Sequence, residues 1–245
     1  MNCLHCNSKA DGSFCQNCGQ KTTTHRFLLK HMITHDFVHG VFHLDKGFLF
    51  TIKELFTRPG HSIRDYIQGK RAKHFNCFTL LILIITVGHI VGEYSTVRLA
   101  DFASSDSKEF VTELETATTT YPKLFVLLTI PIYGLISFLW FRTSKQNYTE
   151  HVILNSYKSA GELLIASLFT ILTIFYTNLS VLKIVYSWMT FLYISYTMWF
   201  YFQYFSKFGY TKTRLFVRSL FASITLTIIL ASITFFVLEV KKGIE

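Results

Sequence analysis

The sequence predicts an all-α polytopic membrane protein of about five transmembrane helices, headed by a small four-cysteine zinc ribbon. Three observations predict it. Half of the 245 residues are hydrophobic and 16% are charged, against roughly 25% charged in soluble domains. Apolar stretches at about 76–97, 122–141, 152–176, 184–205 and 215–238 each come near the ~20 residues that cross a hydrocarbon core of ~30 Å. Ahead of them stand two C-x-x-C turns. The chain thus divides into a ribbon over 1–26, interfacial amphipathic segments over 27–74 and a five-helix domain over 75–245.

The ribbon is written in Cys3-Leu4-His5-Cys6 and Cys15-Gln16-Asn17-Cys18-Gly19-Gln20. A C-x-x-C turn aims two thiolates at one centre, and two such turns complete a tetrahedral site for Zn²⁺. Ala10-Asp11-Gly12-Ser13 reverses the chain between them, Gly19 fits a tight turn and Phe14 offers a small apolar cap. A unit this short cannot build a core, so the metal must fold it. Two disulfides are the competing reading, which a cytoplasmic N-terminus disfavours. Four cysteines close the coordination shell and leave no position for a substrate. His5 and His25 read as polar surface residues. The FCQNCGQ stretch resembles the short zinc ribbons at the ends of many bacterial membrane and regulatory proteins.

Between Phe27 and Phe56 apolar residues recur at helical spacing, but charges interrupt them too often for a span. His31, His35, His39 and His43 fall four apart, so neighbours share one helix face. That pattern is a candidate second metal site or pH-sensing face. A half-polar stripe at the membrane interface is the other reading. Gly40 interrupts the helix and no H-E-x-x-H motif supplies a base, which favours the stripe.

The stretch TRPGHSIRDYIQGKRAKH, residues 57–74, joins the water-facing and lipid-facing parts. Pro59-Gly60 breaks the preceding helix. A short helix follows with Ile63, Tyr66 and Ile67 on one face, and Arg64, Lys70, Arg71 and Lys73 are expected to meet anionic lipid headgroups.

Loop charge sets the expected direction. Eleven Lys or Arg lie in residues 1–74, Arg142 and Lys145 follow the second stretch, and Lys207, Lys212 and Arg214 follow the fourth. Asp101, Asp106, Glu109, Glu113 and Glu115 instead outweigh Arg98 and Lys108 between the first two stretches. The positive-inside pattern then puts the N-terminus in the cytoplasm and the C-terminus outside. Lys241 and Lys242 run against this, offset by Glu239 and Glu245. The first 25 residues lack the apolar core of a signal peptide. The formal charge of +9 gathers beside the spans rather than in a nucleic-acid-binding patch, so no nucleic-acid partner is expected. His89, Lys158 and Glu162 fall inside expected spans, where charge is costly unless paired or hydrated. Lys158 and Glu162 lie one helical turn apart, as an ion pair or as a proton or ligand site, with Lys158 also able to snorkel. His151 reads as an interfacial anchor, with a partnership to Glu150 as the other reading.

Together the ribbon, Thr57 to Gly60, Ile63 to Arg71 and the Tyr148-Thr-Glu-His-Val-Ile-Leu segment resemble a family of uncharacterised bacterial inner-membrane proteins. That resemblance covers most of the chain and implies an inner-membrane location without an activity. Cys77 stands near where relatives place a proline. Five spans behind a cytosolic N-terminal region are also similar, in topology alone, to the Yip-type trafficking scaffold. The leading functional reading is a non-enzymatic membrane protein whose ribbon and basic joint form a docking face for a protein partner. The alternative is a small transporter or lipid-handling permease using His89, Lys158 and Glu162. An enzyme comes third, because no nucleophile–base pair or open metal site stands out. The sequence does not set an oligomeric state.

Overall fold

Three asparagines start three of the long helices. The Asn76 amide oxygen accepts from the N–H groups of Phe78 at 2.9 Å and Thr79 at 3.3 Å. Asn178 accepts from Ser180 and Val181 N–H groups in the same way. Asn147 makes a capping box: its side chain accepts from Glu150 N–H at 2.9 Å while the Glu150 carboxylate accepts from Asn147 N–H at 2.9 Å. Each cap satisfies N–H groups that the first helical turn leaves without partners, and its loss costs about 1 kcal/mol.

The computed structural model describes residues 1–24, 26, 27, 47–103, 108–120 and 122–242. Among these the chain is helical beyond the ribbon: α1 (Gly47–Thr57), α2 (Pro59–Ile67), α3 (Cys77–Glu93), α4 (Lys108–Thr120), α5 (Pro122–Trp140), α6 (Tyr148–Phe175), α7 (Leu179–Phe205) and α8 (Lys212–Lys242). No strand forms among them, only isolated antiparallel bridges between Asn2 and Lys9 and between Phe14 and Lys21. The histidine ladder of His31, His35, His39 and His43 lies outside the described residues, as do His25 and Asp106.

Among the described residues, α6 and α7 are long and apolar enough to cross a membrane, while α3 and the Leu128–Trp140 part of α5 are apolar but shorter. Only 33% of the apolar window of α6 and 17% of that of α7 is buried inside the protein. A soluble core helix would bury most of such a window. Leu168, Phe175, Trp188 and Phe191 stand 62 to 83% exposed, and side chains like these in such number call for another apolar medium. The two helices support a membrane protein.

Packing is graded along the bundle. At the end that meets the ribbon, every residue of α6 from Thr149 to Gly161 is buried, polar and apolar alike, whereas beyond that run Thr173 is the one buried residue of the helix among those described. Here α6 is enclosed by α2, α3, α5 and α7. Tyr157, Tyr201, Tyr204, Phe141, Phe200 and Phe205 are fully buried at this end, and Phe141 stacks on Phe205 with ring centroids 3.8 Å apart.

Small residues permit these approaches. A Cβ on Gly60 of α2 would lie 2.2 Å from Phe200 O and 2.3 Å from Tyr204 N of α7. The TRPG turn therefore does more than break a helix: Pro59 occupies the first turn of α2, where its missing N–H costs nothing, and Gly60 lets α2 lie on the backbone of α7.

Candidate functional site

The ribbon is an internal repeat with a period of twelve residues. Cys3 N–H donates to Ser8 O and Asn7 N–H to Cys3 O, both at 2.9 Å; Cys15 N–H donates to Gln20 O and Gly19 N–H to Cys15 O, both at 2.8 Å. Asn7 and Gly19, one residue past each C-x-x-C, are left-handed with φ of 60° and 71°. That conformation turns the backbone under the thiols. The N–H and hydroxyl of Ser8 reach Cys6 and the N–H of Gln20 reaches Cys18.

The four sulfurs lie within 4.8 Å of one another, with Cys3 and Cys18 Sγ 3.6 Å apart and Cys6 and Cys15 Sγ 3.5 Å apart. A disulfide needs about 2.05 Å, so the cysteines are free. A tetrahedron with metal–sulfur bonds of about 2.3 Å has edges of about 3.8 Å. The donor set fits one tetrahedral ion, and the four cysteines could hold a metal. Without a cation so close a set cannot ionise together. The Ser8 hydroxyl and N–H hold Cys6 down to about 5. The Gln20 N–H acts the same way on Cys18, but burial and the three other sulfurs outweigh it and push that thiol up to about 12. A divalent ion removes this conflict.

Gln20 then seats the ribbon on the joint. Its side chain is buried; Nε2 donates to Gly69 O at 2.8 Å, and Oε1 accepts from the N–H groups of Arg71 at 3.0 Å and Ala72 at 3.3 Å. Gly69 has φ of 108°, and a Cβ there would meet Leu4 Cδ1 at 2.9 Å, so the turn both requires glycine and lets the first knuckle close over it. A second fastening lies further along. Arg26 makes a bidentate pair with Glu150, Nε to Oε1 at 2.7 Å and Nη2 to Oε2 at 2.8 Å, and its Nη2 also donates to Lys145 O. The Asn147 amide donates to Phe27 O at 2.9 Å.

The cations of the joint are divided in use. Arg64 is buried. Its Nη1 donates to Gln203 O at 2.9 Å, Tyr204 O at 3.0 Å and Ser206 Oγ at 3.2 Å. It thus satisfies carbonyls at the C-terminal end of α7, where a cation is favoured. The Arg71 guanidinium lies 3.6 Å over the Phe27 ring and donates to Tyr66 O. Lys70 pairs with Asp65 at 3.1 Å and stays 45% exposed; Lys73 is exposed.

Inside the bundle, Lys158 Nζ and Glu162 Oε2 are 2.9 Å apart, with side chains 3% and 21% exposed. Lys158 therefore points inward rather than snorkelling. Thr197 of α7 donates to Glu162 Oε1 at 2.6 Å, and the ammonium lies 4.3 Å from the Tyr133 ring centroid of α5. Lys158 forms part of the wall of a cavity of about 880 Å³. His89 lies elsewhere, half exposed and 3.7 Å from Glu93, beside a cavity of about 800 Å³. The two cavities share Tyr186, Thr190 and Tyr193. His151 is no surface anchor: it is fully buried, with Nδ1 2.9 Å from Ser137 Oγ. Asn155 donates to that same Ser137 oxygen at 2.7 Å and accepts from Tyr201 OH at 2.6 Å. This network ties α5, α6 and α7. Gln20, Arg26 and Thr197 had no role in the sequence reading, and Glu150 entered it only as a partner for His151, whereas it binds Arg26 and Asn147; for Gln20 the twelve-residue repeat was the available signal.

A family model described as protein of unknown function (DUF3667) matches residues 45–87. The chain is similar to that family across α1, α2, the Gly69 turn and much of α3, the stretch that receives the ribbon. No curated protein and no solved structure matches the chain.

Proposed function

We propose that the protein is a non-enzymatic integral membrane protein of the bacterial inner membrane. In this reading a zinc-loaded ribbon, held in fixed orientation on the basic joint at the cytoplasmic face, docks a protein partner. One observation carries it: Gln20 makes three hydrogen bonds to the backbone of the joint. A ribbon serving only as a tethered flag would need none. Phe14, expected to cap the ribbon, is instead 60% exposed, an aromatic of the kind that fills a partner's pocket. Four thiolates in a tetrahedron suit zinc, and iron is the competing ion for this donor set. Lys70 and Lys73 keep the anionic headgroups; Arg64 and Arg71 serve the protein's own carbonyls and rings. Among the described residues the Ser62–His74 and Ser137–His151 pairs are the nearest approach to a nucleophile and base, and Ser62, Ser137 and His151 are fully buried, out of reach of a substrate, which favours a non-enzymatic reading.

The test combines elemental analysis with a photo-crosslinking side chain at position 14 in native membranes. One zinc per chain and a protein adduct of discrete mass are expected, the adduct disappearing in both Cys15→Ser and Gln20→Ala. Gln20→Ala should retain its zinc, since the thiols are intact. Adducts with lipid alone, or an undiminished protein adduct in Gln20→Ala, would count against the fixed docking face.

A further inference from the structure

Where the enclosed run of α6 comes to its end, the bundle leaves the cavity of about 880 Å³ beside Lys158. That size falls in the range of about 300–1,000 Å³ typical of small-molecule sites. Its polar wall is rich in donors. The Glu162 carboxylate has both oxygens engaged, one by Lys158 and one by the Thr197 hydroxyl. The Lys158 ammonium carries three N–H groups and spends one on Glu162 and one face on the Tyr133 ring. An ammonium N–H is thus left at the cavity wall, its charge shared with Glu162, and Tyr133 and Tyr193 line the same space. Ser223 and Thr227 face the same space, but their hydroxyl protons go to helix carbonyls. Their oxygens can still accept, so the wall is mixed, but its charged donor is the remaining ammonium N–H, and that group is best met by an oxyanion.

The rest of the lining is apolar. Leu114, Leu226 and Ile228 belong to it, and Ile228 is 59% exposed, so the cavity opens on the apolar flank of α8. A guest therefore has an oxyanion at one end and hydrocarbon at the other. We propose that this cavity binds a single-chain amphiphile with an anionic oxygen headgroup, carboxylate or phosphate, its head on Lys158, Tyr133 and Tyr193 and its tail along Leu226 and Ile228. The site is separate from the docking role of the ribbon and requires no transport.

The full-length protein in maltoside detergent is titrated with tritiated oleate, with oleyl phosphate and oleyl alcohol as competitors. Saturable oleate binding is expected, displaced by oleyl phosphate and not by oleyl alcohol. The double variant Lys158→Met/Glu162→Leu removes the charge without leaving either partner buried alone. It should weaken oleate binding by at least about tenfold, the loss of roughly one charge-assisted hydrogen bond. Ile228→Trp, which leaves the pair untouched and fills the mouth, should weaken it as well and covers the case in which the double variant does not fold. Oleate bound equally by parent and either variant, or displaced as readily by oleyl alcohol, would overturn the proposal.

Discussion

Single residues decide how the ribbon end holds together, and several of them are titratable. His74 stands between the joint and α3, its Nε2 2.8 Å from Ser62 Oγ and its ring edge-on to Phe50 at 5.2 Å. Burial pushes its pKa down from 6.5 to about 4, with Glu54 opposing. The sign follows from which state binds the proton. Between pH 6.5 and about 4 the unfolded chain takes up a proton that the folded chain refuses, so stability is full above pH 6.5 and falls as the pH drops through this window. The loss amounts to about 3 kcal/mol at its limit. His74→Gln keeps a hydrogen-bonding group and cannot titrate. The melting temperature in detergent should therefore drop less for the variant than for the parent between about pH 7.5 and 4.5; equal drops would mean that other groups carry the acid sensitivity. At this scale the sequence showed the four cysteines plainly, because thiolate chemistry is local. It did not show Gln20, Arg26 or Thr197, whose roles depend on partners between 35 and 124 residues away.

At the scale of elements, the helices were legible and their closest contacts were not. Pro59 and Gly60 read as a break, yet Gly60 is also the place where two helix backbones touch. Gly60→Ala must move α2 off α7, since the two nearest of the three atoms a Cβ would meet are backbone and the third is the Cβ of Gln203, and the cost should be about 1–3 kcal/mol or more. Gly92, near the end of α3, has nothing within 4 Å of a Cβ position. Gly92→Ala should raise stability slightly, by about 0.5–1 kcal/mol, because alanine loses less backbone freedom. Thermal melts of the two variants in one detergent compare them directly; similar shifts would contradict the packing of α2 on α7. The Asn147 and Asn178 caps are local in their physics, yet the sequence reading named neither and began these apolar stretches at about 152 and 184, where the helices start at Tyr148 and Leu179.

For the whole molecule, α6 and α7 form an apolar hairpin whose turn, near Thr177, is far from Lys207 at the other end of α7. If the hairpin spans the membrane as proposed, these positions lie on opposite sides. In sealed right-side-out vesicles, cysteine placed at Thr177 should react with an impermeant maleimide, and cysteine at Lys207 only after permeabilisation. Site-resolved mass spectrometry separates these signals from the native thiols. Equal reactivity from one side would dismiss α7 as a span and, with it, the expected orientation.

The sequence by itself determined the helical class, the four-thiol centre, the joint at Pro59 and the placing of Lys158 one turn from Glu162. Each of these follows from composition, from breaking residues, or from spacing over a few residues, and such effects are local. Only the tertiary structure decided that Arg64 and Arg71 turn inward, that His151 is the buried hub of three helices and that His89 stands apart from Lys158. It also decided that the ribbon is seated through Gln20 on the turn at Gly69. These depend on which distant carbonyl, carboxylate or ring is brought within hydrogen-bond reach. A cation near a span reads the same in sequence whether it meets a phosphate or the last carbonyls of a helix 140 residues away, and the packing of α2 across α7 makes that choice.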